Sequence, residues 1–513
     1  MSKEPINRRD FLLLSSLGIA GTFVPLSSAK DLLASEVFYR PSLHVSEKDR
    51  AVRVIDPSPS DIFQDPPLMP NLTPQNGIID VTLDVKMAPV KIGGTTANLL
   101  TYNGVFPAQT IRVRQGNRLK VTLKNSLPAT HEKNLLGHTK NITNLHTHGW
   151  HVSPSGNSDN VFVTVKPGEE FQHEYDTSKQ EAGTLSYYHP HFHGLVAEQQ
   201  WSGLGGGALI VEDDTKVLSD FETHIFILKN ISLDGSEPAP YTEQDFLDGK
   251  EGDMVLVNGR INPVLNIKPG QVQRWRFINA GTAKYYKLSL ENHKLYVAGT
   301  DGGLLDKSYP VSEIIITPGE RVDLLVKADN KPGTFKLLSL PYDRRGNELQ
   351  KITLMTVEYK GKPVKENIPK KINPHAKRLD SDIDISALPK RKLYFIMANG
   401  QGFVNLKDFN EEPYVLTSKV GTYEIWELIN ISPMDHPIHQ HVNPAQILSI
   451  TGGDQGYTSL YTSTPAWKDT INIPFQGKLT MLVPVKDFTG KTLFHCHILE
   501  HEDIGMMGIW EMV

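Results

Sequence analysis

Short apolar runs rich in β-branched residues recur along most of the chain, and residues 78–85, 110–113 and 119–123 are examples. Glycine, asparagine and proline separate these runs, as they separate the strands of a sheet. We see no long run with the period of an amphipathic helix. The pattern therefore predicts an all-β protein. Residues 30–75 are rich in Pro, Ser and Asp without clear periodicity, and we interpret them as an N-terminal arm.

The strand pattern repeats three times. Each copy has an Asn-Gly pair, then a Gly, then a strand ending at Asn: Asn103-Gly104, Gly116 and Asn125; Asn258-Gly259, Gly270 and Asn279; Asn399-Gly400, Gly421 and Asn430. A turn in the closing half recurs as Pro167-Gly168-Glu169, Pro318-Gly319-Glu320 and Gly477. Units of roughly 120 to 160 residues suit domains and are too long for a solenoid. We expect β-sandwich or Greek-key barrel domains at 76–215, 216–360 and 393–513, with a linker at 361–392.

Composition and charge exclude some functions. The chain has 513 residues, and its formal net charge of -5 gives no reason to expect a nucleic-acid partner. The glycine run at 203–207 lacks a following Lys-Ser or Lys-Thr, so it is not a phosphate loop.

The first residues are typical of an export signal. Arg8-Arg9 precede an apolar run, and Ser27 and Ala29 stand at small-residue cleavage positions. Paired arginines before such a run indicate the twin-arginine pathway. We expect residues 1–29 to be a signal peptide and the mature chain to be periplasmic or otherwise extracytoplasmic. The run is too short to span a bilayer comfortably, so we expect no stable membrane anchor; an uncleaved anchor is the alternative.

The single cysteine of the chain, Cys496, stands directly between His495 and His497, and His501 and Met506 follow it. A thiolate, an imidazole and a weak thioether, with one more imidazole from elsewhere, form a blue-copper site. Residues 493–498 are predicted to form a strand, and side chains alternate between the two faces of a strand. We therefore expect the cysteine and its flanking histidines to serve two metal sites joined by a few covalent bonds. The alternative is a buried cysteine that acts as a small hydrophobe.

Four His-x-His pairs lie in the first and third copies, and the middle copy has none at the matching places. The pairs are His146 and His148, His189 and His191, His439 and His441, and His495 and His497. On a strand the two imidazoles of a pair share a face about 6.6 Å apart, which suits different ions of a cluster better than one ion. The eight histidines predict a three-copper cluster between the first and third domains. His436 is left to complete the blue site.

These motifs, with Tyr188-His189-Pro190-His191 and Trp467-Lys468-Asp469-Thr470, resemble those of the three-domain multicopper oxidases, especially bacterial laccases and copper efflux oxidases. The resemblance implies three consecutive cupredoxin-like Greek-key β-sandwich domains and four copper ions. It implies type 2 copper at His146 and His439, and a type 3 pair at His148, His189, His191, His441, His495 and His497. It implies type 1 copper at His436, Cys496, His501 and Met506.

Some nearby positions do not match the family pattern. Gln440 stands where the family usually has an apolar residue, on the strand face opposite the ligands. Met507 is a second candidate axial ligand, although Met506 stands at the family spacing. Three histidines match no ligand position and are interpreted as hydrogen-bonding or surface residues: His151, His173 and His193.

The resemblance implies an oxidase that takes single electrons from a small reducing donor and reduces O2 to water. Cys496 would carry electrons between the two metal sites. Asp159 and Glu502 resemble the family's acidic proton donors, and carboxylates can relay protons through water. The alternatives are a turn-forming role for Asp159 and a solvated loop position for Glu502.

The sequence leaves the donor open. The 11 methionines are scattered, without the methionine-rich insertion that collects Cu(I) in copper efflux oxidases. This favours a laccase-like oxidase of phenols or similar donors. We also expect the protein to be a monomer. The alternative is an oxidase of Cu(I) or Fe(II), with Met434 and Asp435 as docking residues. A third hypothesis is a copper-free binding scaffold in cell division, which the filled ligand positions disfavour. A copper nitrite reductase would lack the eight-histidine set.

Overall fold

The computed structural model describes residues 51–213, 216–345 and 348–513, so the predicted signal peptide lies outside the described residues. Strands dominate this part of the chain, which confirms the all-β prediction. The helices are short: α1 Val196–Trp201, α2 Lys216–Ser219, α3 Glu243–Asp248, α4 Gln455–Ser463 and α5 Leu499–Asp503, with 3-10 turns at Leu379–Ser381 and Ile385–Ala387. Within the described ranges, no helix is long and apolar enough to cross a bilayer.

The first domain is a sandwich of two four-stranded sheets. Its strands are β2 Ile78–Ile92, β3 Thr95–Tyr102, β4 Ile111–Val113, β5 Arg118–Asn125, β6 His146–His148, β7 Glu170–Asp176, β8 Leu185–His189 and β9 Gly207–Val211; β1, Arg53–Ile55, precedes them. The sheets have the orders β3-β2-β5-β7 and β4-β9-β8-β6. Leu83 and Leu123 from the first sheet share one core with Ile111 and Leu209 from the second, as the alternating pattern predicts.

The middle domain has the same two-layer plan. Its strands are β10 Glu222–Ile231, β11 Leu233–Asp234, β12 Glu237–Pro238, β13 Met254–Val257, β14 Val264–Ile267, β15 Val272–Asn279, β16 Tyr286–Leu290, β17 Leu295–Thr300, β18 Gly303–Val311, β19 Ile314–Ile316, β20 Arg321–Lys327, β21 Gly333–Leu340 and β22 Gln350–Tyr359. One sheet has the order β13-β10-β15-β20-β17-β18, and the other β1-β22-β21-β16-β19 with β14 also on β22. Since β1 pairs in parallel with β22, the predicted arm contributes a strand to this domain.

The third domain contains two five-stranded sheets. Its strands are β23 Lys390–Ala398, β24 Gln401–Val404, β25 Tyr414–Ser418, β26 Thr422–Asn430, β27 His436–Gln440, β28 Gln446–Thr451, β29 Thr470–Ile473, β30 Lys478–Val485, β31 Gly490–Cys496 and β32 Met507–Met512. The orders are β24-β23-β26-β30-β28 and β25-β32-β31-β27-β29. β23 begins inside the predicted linker at 361–392, and the domain boundaries stay predictions.

Equivalent strand pairings identify the three domains as copies of one sandwich. β2 with β5, β10 with β15 and β23 with β26 are parallel neighbours in one sheet of each domain. β4 with β9, β14 with β22 and β25 with β32 are parallel neighbours in the other sheet. The prediction of three consecutive cupredoxin-like Greek-key β-sandwich domains is confirmed.

Candidate metal centre

Strand register collects the histidine pairs. β6 and β8 are antiparallel with His146 opposite His189, and β27 and β31 are antiparallel with His439 opposite His495. Directly opposite side chains lie on the same face of a sheet. The two faces meet between the first and third domains, where the ring centroids of His146 and His441 lie 3.9 Å apart.

All eight paired histidines lie in this one buried cluster. Their closest nitrogen contacts are His146 Nε2 to His439 Nε2 at 3.4 Å, His191 Nε2 to His495 Nε2 at 3.1 Å, His441 Nε2 to His495 Nε2 at 3.2 Å, and His189 Nε2 to His148 Nδ1 at 3.4 Å. Three groups in the cluster bring three donor atoms within 4.8 Å of one another: His146, His439 and His441; His146, His148 and His189; His191, His441 and His495.

His497 completes the cluster from just beyond the end of β31. Its ring centroid lies 4.9 Å from that of His148 and 5.7 Å from that of His189. Its Nε2 lies 3.1 Å from the Tyr187 hydroxyl, and its Nδ1 has no hydrogen-bond partner. The strand was predicted to run from Leu493 to Ile498, whereas β31 ends at Cys496.

A second group lies on the opposite face of β31. The Cys496 Sγ lies 3.4 Å from His436 Nδ1 and 3.7 Å from His501 Nδ1, and the two nitrogens are 3.2 Å apart. α5 carries His501, whose Nε2 donates to the Leu247 carbonyl and so leaves Nδ1 facing the thiol. All three donors are fully buried.

The two methionines after α5 face different surroundings. Met506 packs in the same core as Cys496 and Ile504. Met507 packs instead with Val161 and Leu493. The Cys496 amide donates to the Met506 carbonyl at 3.0 Å, whereas Met507 lies opposite His495, so Met506 is the methionine next to the cysteine.

The donor atoms present fit copper. Burial lowers the pKa of His191 and His495 to about 3, and burial, together with neighbouring imidazoles, holds the pKa of His148 well below its usual range. Neutral imidazole is the ligand form, and nitrogens 3.1 to 3.4 Å apart can both lie about 2 Å from one metal ion. Burial raises the pKa of the Cys496 thiol, so its thiolate needs a cation beside it. Imidazole with thiolate is a donor set that copper favours.

Asp159 orients one of the histidines. Its Oδ2 lies 2.9 Å from His146 Nδ1, and its Oδ1 accepts from the Thr147 amide and hydroxyl at 2.8 and 3.1 Å. Burial raises the pKa of this carboxyl, and the Thr147 bonds oppose that shift. Its side-chain partners lie on β6, 12 and 13 residues earlier in the chain, rather than in its own turn, so the turn-forming alternative does not describe it.

Glu502 is fully buried, so the alternative of a solvated loop acid is wrong. Its Oε2 lies 3.0 Å from His495 Nδ1 and its Oε1 lies 3.4 Å from His191 Nδ1. Neither oxygen accepts a well-aligned hydrogen bond from a described residue. Burial raises the pKa of this carboxyl, and His191 opposes the shift. The geometry gives a carboxyl that can hold a proton beside two of the clustered imidazoles.

The other candidates from the sequence have ordinary partners. Gln440 is buried and donates to the Lys468 carbonyl at 3.2 Å. The three unassigned histidines all make hydrogen bonds: His151 with the Val442 carbonyl and Asp487, His173 with the Ser158 carbonyl, and His193 with Asn410.

Met434 and Asp435 are also buried. The Asp435 carboxylate accepts from Tyr342, Asn472 and the Phe475 amide at 2.5 to 2.9 Å. A metal ion docking on this carboxylate would have to displace those donors.

Sequence reasoning gave no role to Asp469 and Thr470, although it noted the motif that contains them. The Thr470 hydroxyl lies 3.1 Å from both His148 Nε2 and His439 Nδ1. Arg321 of the middle domain binds the Asp469 carboxylate. Nothing in the spacing along the chain could have shown these contacts, because they join all three domains.

Comparisons with known proteins agree with this geometry. Domain models described as multicopper oxidase match residues 84–216, 221–362 and 385–512. A multicopper oxidase of Staphylococcus aureus is 29% identical over 448 residues, covering 84% of this chain and 88% of the relative. A Bacillus subtilis laccase is 28% identical, with 79% and 88% covered. A solved Campylobacter jejuni multicopper oxidase, described as a metallo-oxidase, superposes with a TM-score of 0.74 at 28% identity, with 94% and 99% covered.

Proposed function

Because this chain belongs to the multicopper oxidase family and is an oxidoreductase with O2 as acceptor, we propose that it is a laccase-like oxidase of phenols or similar small donors. The family carries type 1, type 2 and type 3 coppers. The pair of buried donor groups on opposite faces of β31 supports the oxidase chemistry, and the scattered methionines favour a phenolic donor over Cu(I).

The donor groups divide among the coppers as follows. His436, Cys496, His501 and Met506 would hold type 1 copper. His146 and His439, whose Nε2 atoms face each other, would hold type 2 copper. The type 3 pair would be held by His191, His441 and His495 on one side and by His148, His189 and His497 on the other.

When bound, the coppers supply one-electron oxidation of the donor and four-electron reduction of O2. Cys496 joins the two donor groups through its covalent bonds to His495 and His497, which gives electrons a short path. Glu502 holds a proton beside His191 and His495. The Asp159 carboxylate fixes the orientation of the His146 ring through its contact with His146 Nδ1. The same carboxyl is a second candidate proton donor.

A cavity of about 300 Å³ supports a small organic donor. Its lining includes Tyr342, Asp435 and Phe475. Asp435, which precedes the proposed type 1 ligand His436 in the chain, is part of this lining.

A metal-ion donor is the second candidate, favoured by the likeness to the Campylobacter jejuni metallo-oxidase. Comparing turnover of a phenol with turnover of Cu(I) and Fe(II) decides between the two. The laccase-like proposal predicts that kcat/KM for the phenol is the larger value. A larger kcat/KM for either metal ion would overturn it.

Copper analysis with a visible spectrum tests the metal assignment. We expect about four copper ions per chain and an intense blue thiolate band. Cys496→Ser should remove the band and the activity together with about one copper ion, because it leaves the eight-histidine group intact. A colourless wild-type chain, or a blue variant, would overturn the assignment.

We further propose that the chain is exported through the twin-arginine pathway and acts as a monomer outside the cytoplasm. The motif Arg8-Arg9 before an apolar run supports the export step. Replacing both arginines with lysine should retain the enzyme in the cytoplasm, which cell fractionation detects. Gel filtration with light scattering measures the mass of the mature chain.

A further inference from the structure

The repeated Pro-Gly-Glu turn has different surroundings in the first and middle domains. Gly168 and Gly319 have the same φ of +83°, so each turn needs a glycine. A Cβ on Gly168 would meet no atom within 4 Å. A Cβ on Gly319 would lie 2.8 to 2.9 Å from the His497 ring. The turn of the domain without histidine pairs therefore lies directly against a proposed copper ligand.

The next residues of that turn reach into both other domains. Arg321 is fully buried and binds the Asp469 carboxylate with two nitrogens, at 2.6 and 2.5 Å. Its Nε donates to the Leu185 carbonyl of the first domain at 3.1 Å. A bidentate ion pair of this kind fixes both the position and the orientation of the carboxylate.

Asp469 and Thr470 extend this link to two histidines. The Thr470 hydroxyl donates to Asp469 Oδ1 at 2.9 Å and lies 3.1 Å from His148 Nε2 and His439 Nδ1. The Asp469 carbonyl lies 2.9 Å from the same His439 nitrogen. These contacts occupy His148 Nε2 and His439 Nδ1, so His148 Nδ1 and His439 Nε2 are the nitrogens that face the cluster.

A second ion pair holds the same segment. Lys468 Nζ lies 2.7 Å from Glu320 Oε1 and 2.8 Å from Asp301 Oδ2, and all three side chains are fully buried. The Tyr457 hydroxyl donates to Glu320 at 2.6 Å. Two adjacent residues of the middle domain thus hold two adjacent residues of the third domain.

We propose that residues 319–321 of the middle domain position the copper ligands, with Gly319 setting the place of His497 and Arg321 acting through Asp469 on His148 and His439. This inference rests on the proposed function. The middle domain supplies no copper ligand, but by this inference it fixes the geometry of a metal site whose ligands come from the first and third domains.

The two glycines provide a matched test. Gly168→Ala and Gly319→Ala place an alanine at the same positive φ, so the backbone strain is the same in both variants. Only in Gly319→Ala does the new methyl group contact a histidine ring. We expect Gly168→Ala to keep the copper content and spectra of the wild type. Gly319→Ala should lose type 3 copper while keeping the blue thiolate band. Equal copper content and spectra in the two variants would overturn the role of Gly319.

The arginine is tested with Arg321→Gln against Arg274→Gln. Arg274 is also buried in the middle domain, but it binds Asp323 rather than a residue of the metal centre. We expect Arg321→Gln to weaken type 2 copper about 10- to 100-fold in chelator competition and to alter its paramagnetic resonance signal. Arg274→Gln should change neither the copper affinity nor the resonance signal. Arg321→Lys should keep part of the copper affinity that Arg321→Gln loses.

The outcomes separate the two proposals. Wild-type copper affinity and resonance signal in Arg321→Gln, or equal losses in Arg274→Gln, would overturn the inference and leave the oxidase standing. A wild-type chain that binds no copper would overturn both.

Discussion

Two buried glutamates on α5 contact different side chains. Glu502 and Glu500 stand two residues apart on α5, and both are fully buried. Glu502 faces His191 and His495, whereas Glu500 accepts from the Tyr241 hydroxyl at 2.8 Å. Two similar acids on one short helix therefore face different partners.

Glu502→Gln should slow O2 reduction by about 100-fold or more, because an amide fills the same space but cannot supply the proton. Stopped-flow spectroscopy should show normal bleaching of the blue band by the donor and slow return of the band with O2. Glu500→Gln is the matched control and should keep both rates. A Glu502→Gln enzyme with normal reoxidation would contradict the proton-donor role.

Lys229 makes stability depend on pH. Burial lowers its pKa from 10.5 to about 7, so between these values the unfolded chain binds a proton that the folded chain does not. The free energy of unfolding should therefore rise with pH across this window, by up to about 1.4 kcal/mol per unit from this group. Lys229→Met should remove that slope in denaturant titrations.

A control for Lys229 is available in Lys86, whose side chain is 41% exposed. Lys86→Met should leave the slope in place. If Lys229→Met and wild type keep parallel stability curves from pH 7 to pH 10, the lysine is not held neutral in the fold.

Strand contacts control the Met506 position. Gly402 on β24 donates its amide to the Ile504 carbonyl at 3.0 Å, and a Cβ there would lie 2.6 Å from the Met506 Cβ. The Cys496 amide in turn donates to the Met506 carbonyl at 3.0 Å. Backbone hydrogen bonds thus hold Cys496 and Met506 next to each other.

Gly402→Ala should displace Met506 and lower the free energy of unfolding by about 1 to 3 kcal/mol. The blue band and the type 1 reduction potential should shift, since the axial ligand tunes both. Gly94→Ala is the control, because a Cβ there meets no atom within 4 Å. An unchanged spectrum in Gly402→Ala would show that the thioether is not an axial ligand.

The metal centre joins domains that are far apart in sequence. Its histidines lie on or just after β6 and β8 of the first domain and β27 and β31 of the third, with His501 on α5. The middle domain adds Arg321 and Gly319 at the same junction. Bound copper should therefore stabilise the whole three-domain arrangement rather than one sandwich.

Removing copper with a chelator should lower the unfolding temperature of the whole chain. When free copper exceeds the dissociation constant about 1,000-fold, the bound metal adds about 4 kcal/mol. Calorimetry of the loaded, stripped and reloaded enzyme measures this difference. Identical transitions in loaded and stripped protein would show that the copper sites do not tie the domains together.

The strands and the proposed ligand set followed from local patterns. Short apolar runs rich in β-branched residues predicted the sandwich strands, and the His-x-His spacing already placed His439 and His441 on one face. The end of β31 was placed two residues late, because His497 has a strand-like sequence but leaves the sheet to approach His148 and Tyr187. The burial of Glu502 could not be predicted either, because the sequence around His501 does not distinguish an exposed loop from a buried segment.

Sequence by itself determined the donor atoms, their division between two faces of one strand, and the absence of histidine pairs from the middle copy. Those features depend on residue type and on a two-residue period, both of which are local. Only the tertiary structure decided which nitrogens meet, that Asp159 and Glu502 are buried, and that Arg321 reaches Asp469. Those contacts depend on how three sandwiches pack together, and no spacing along the chain encodes a distance between domains.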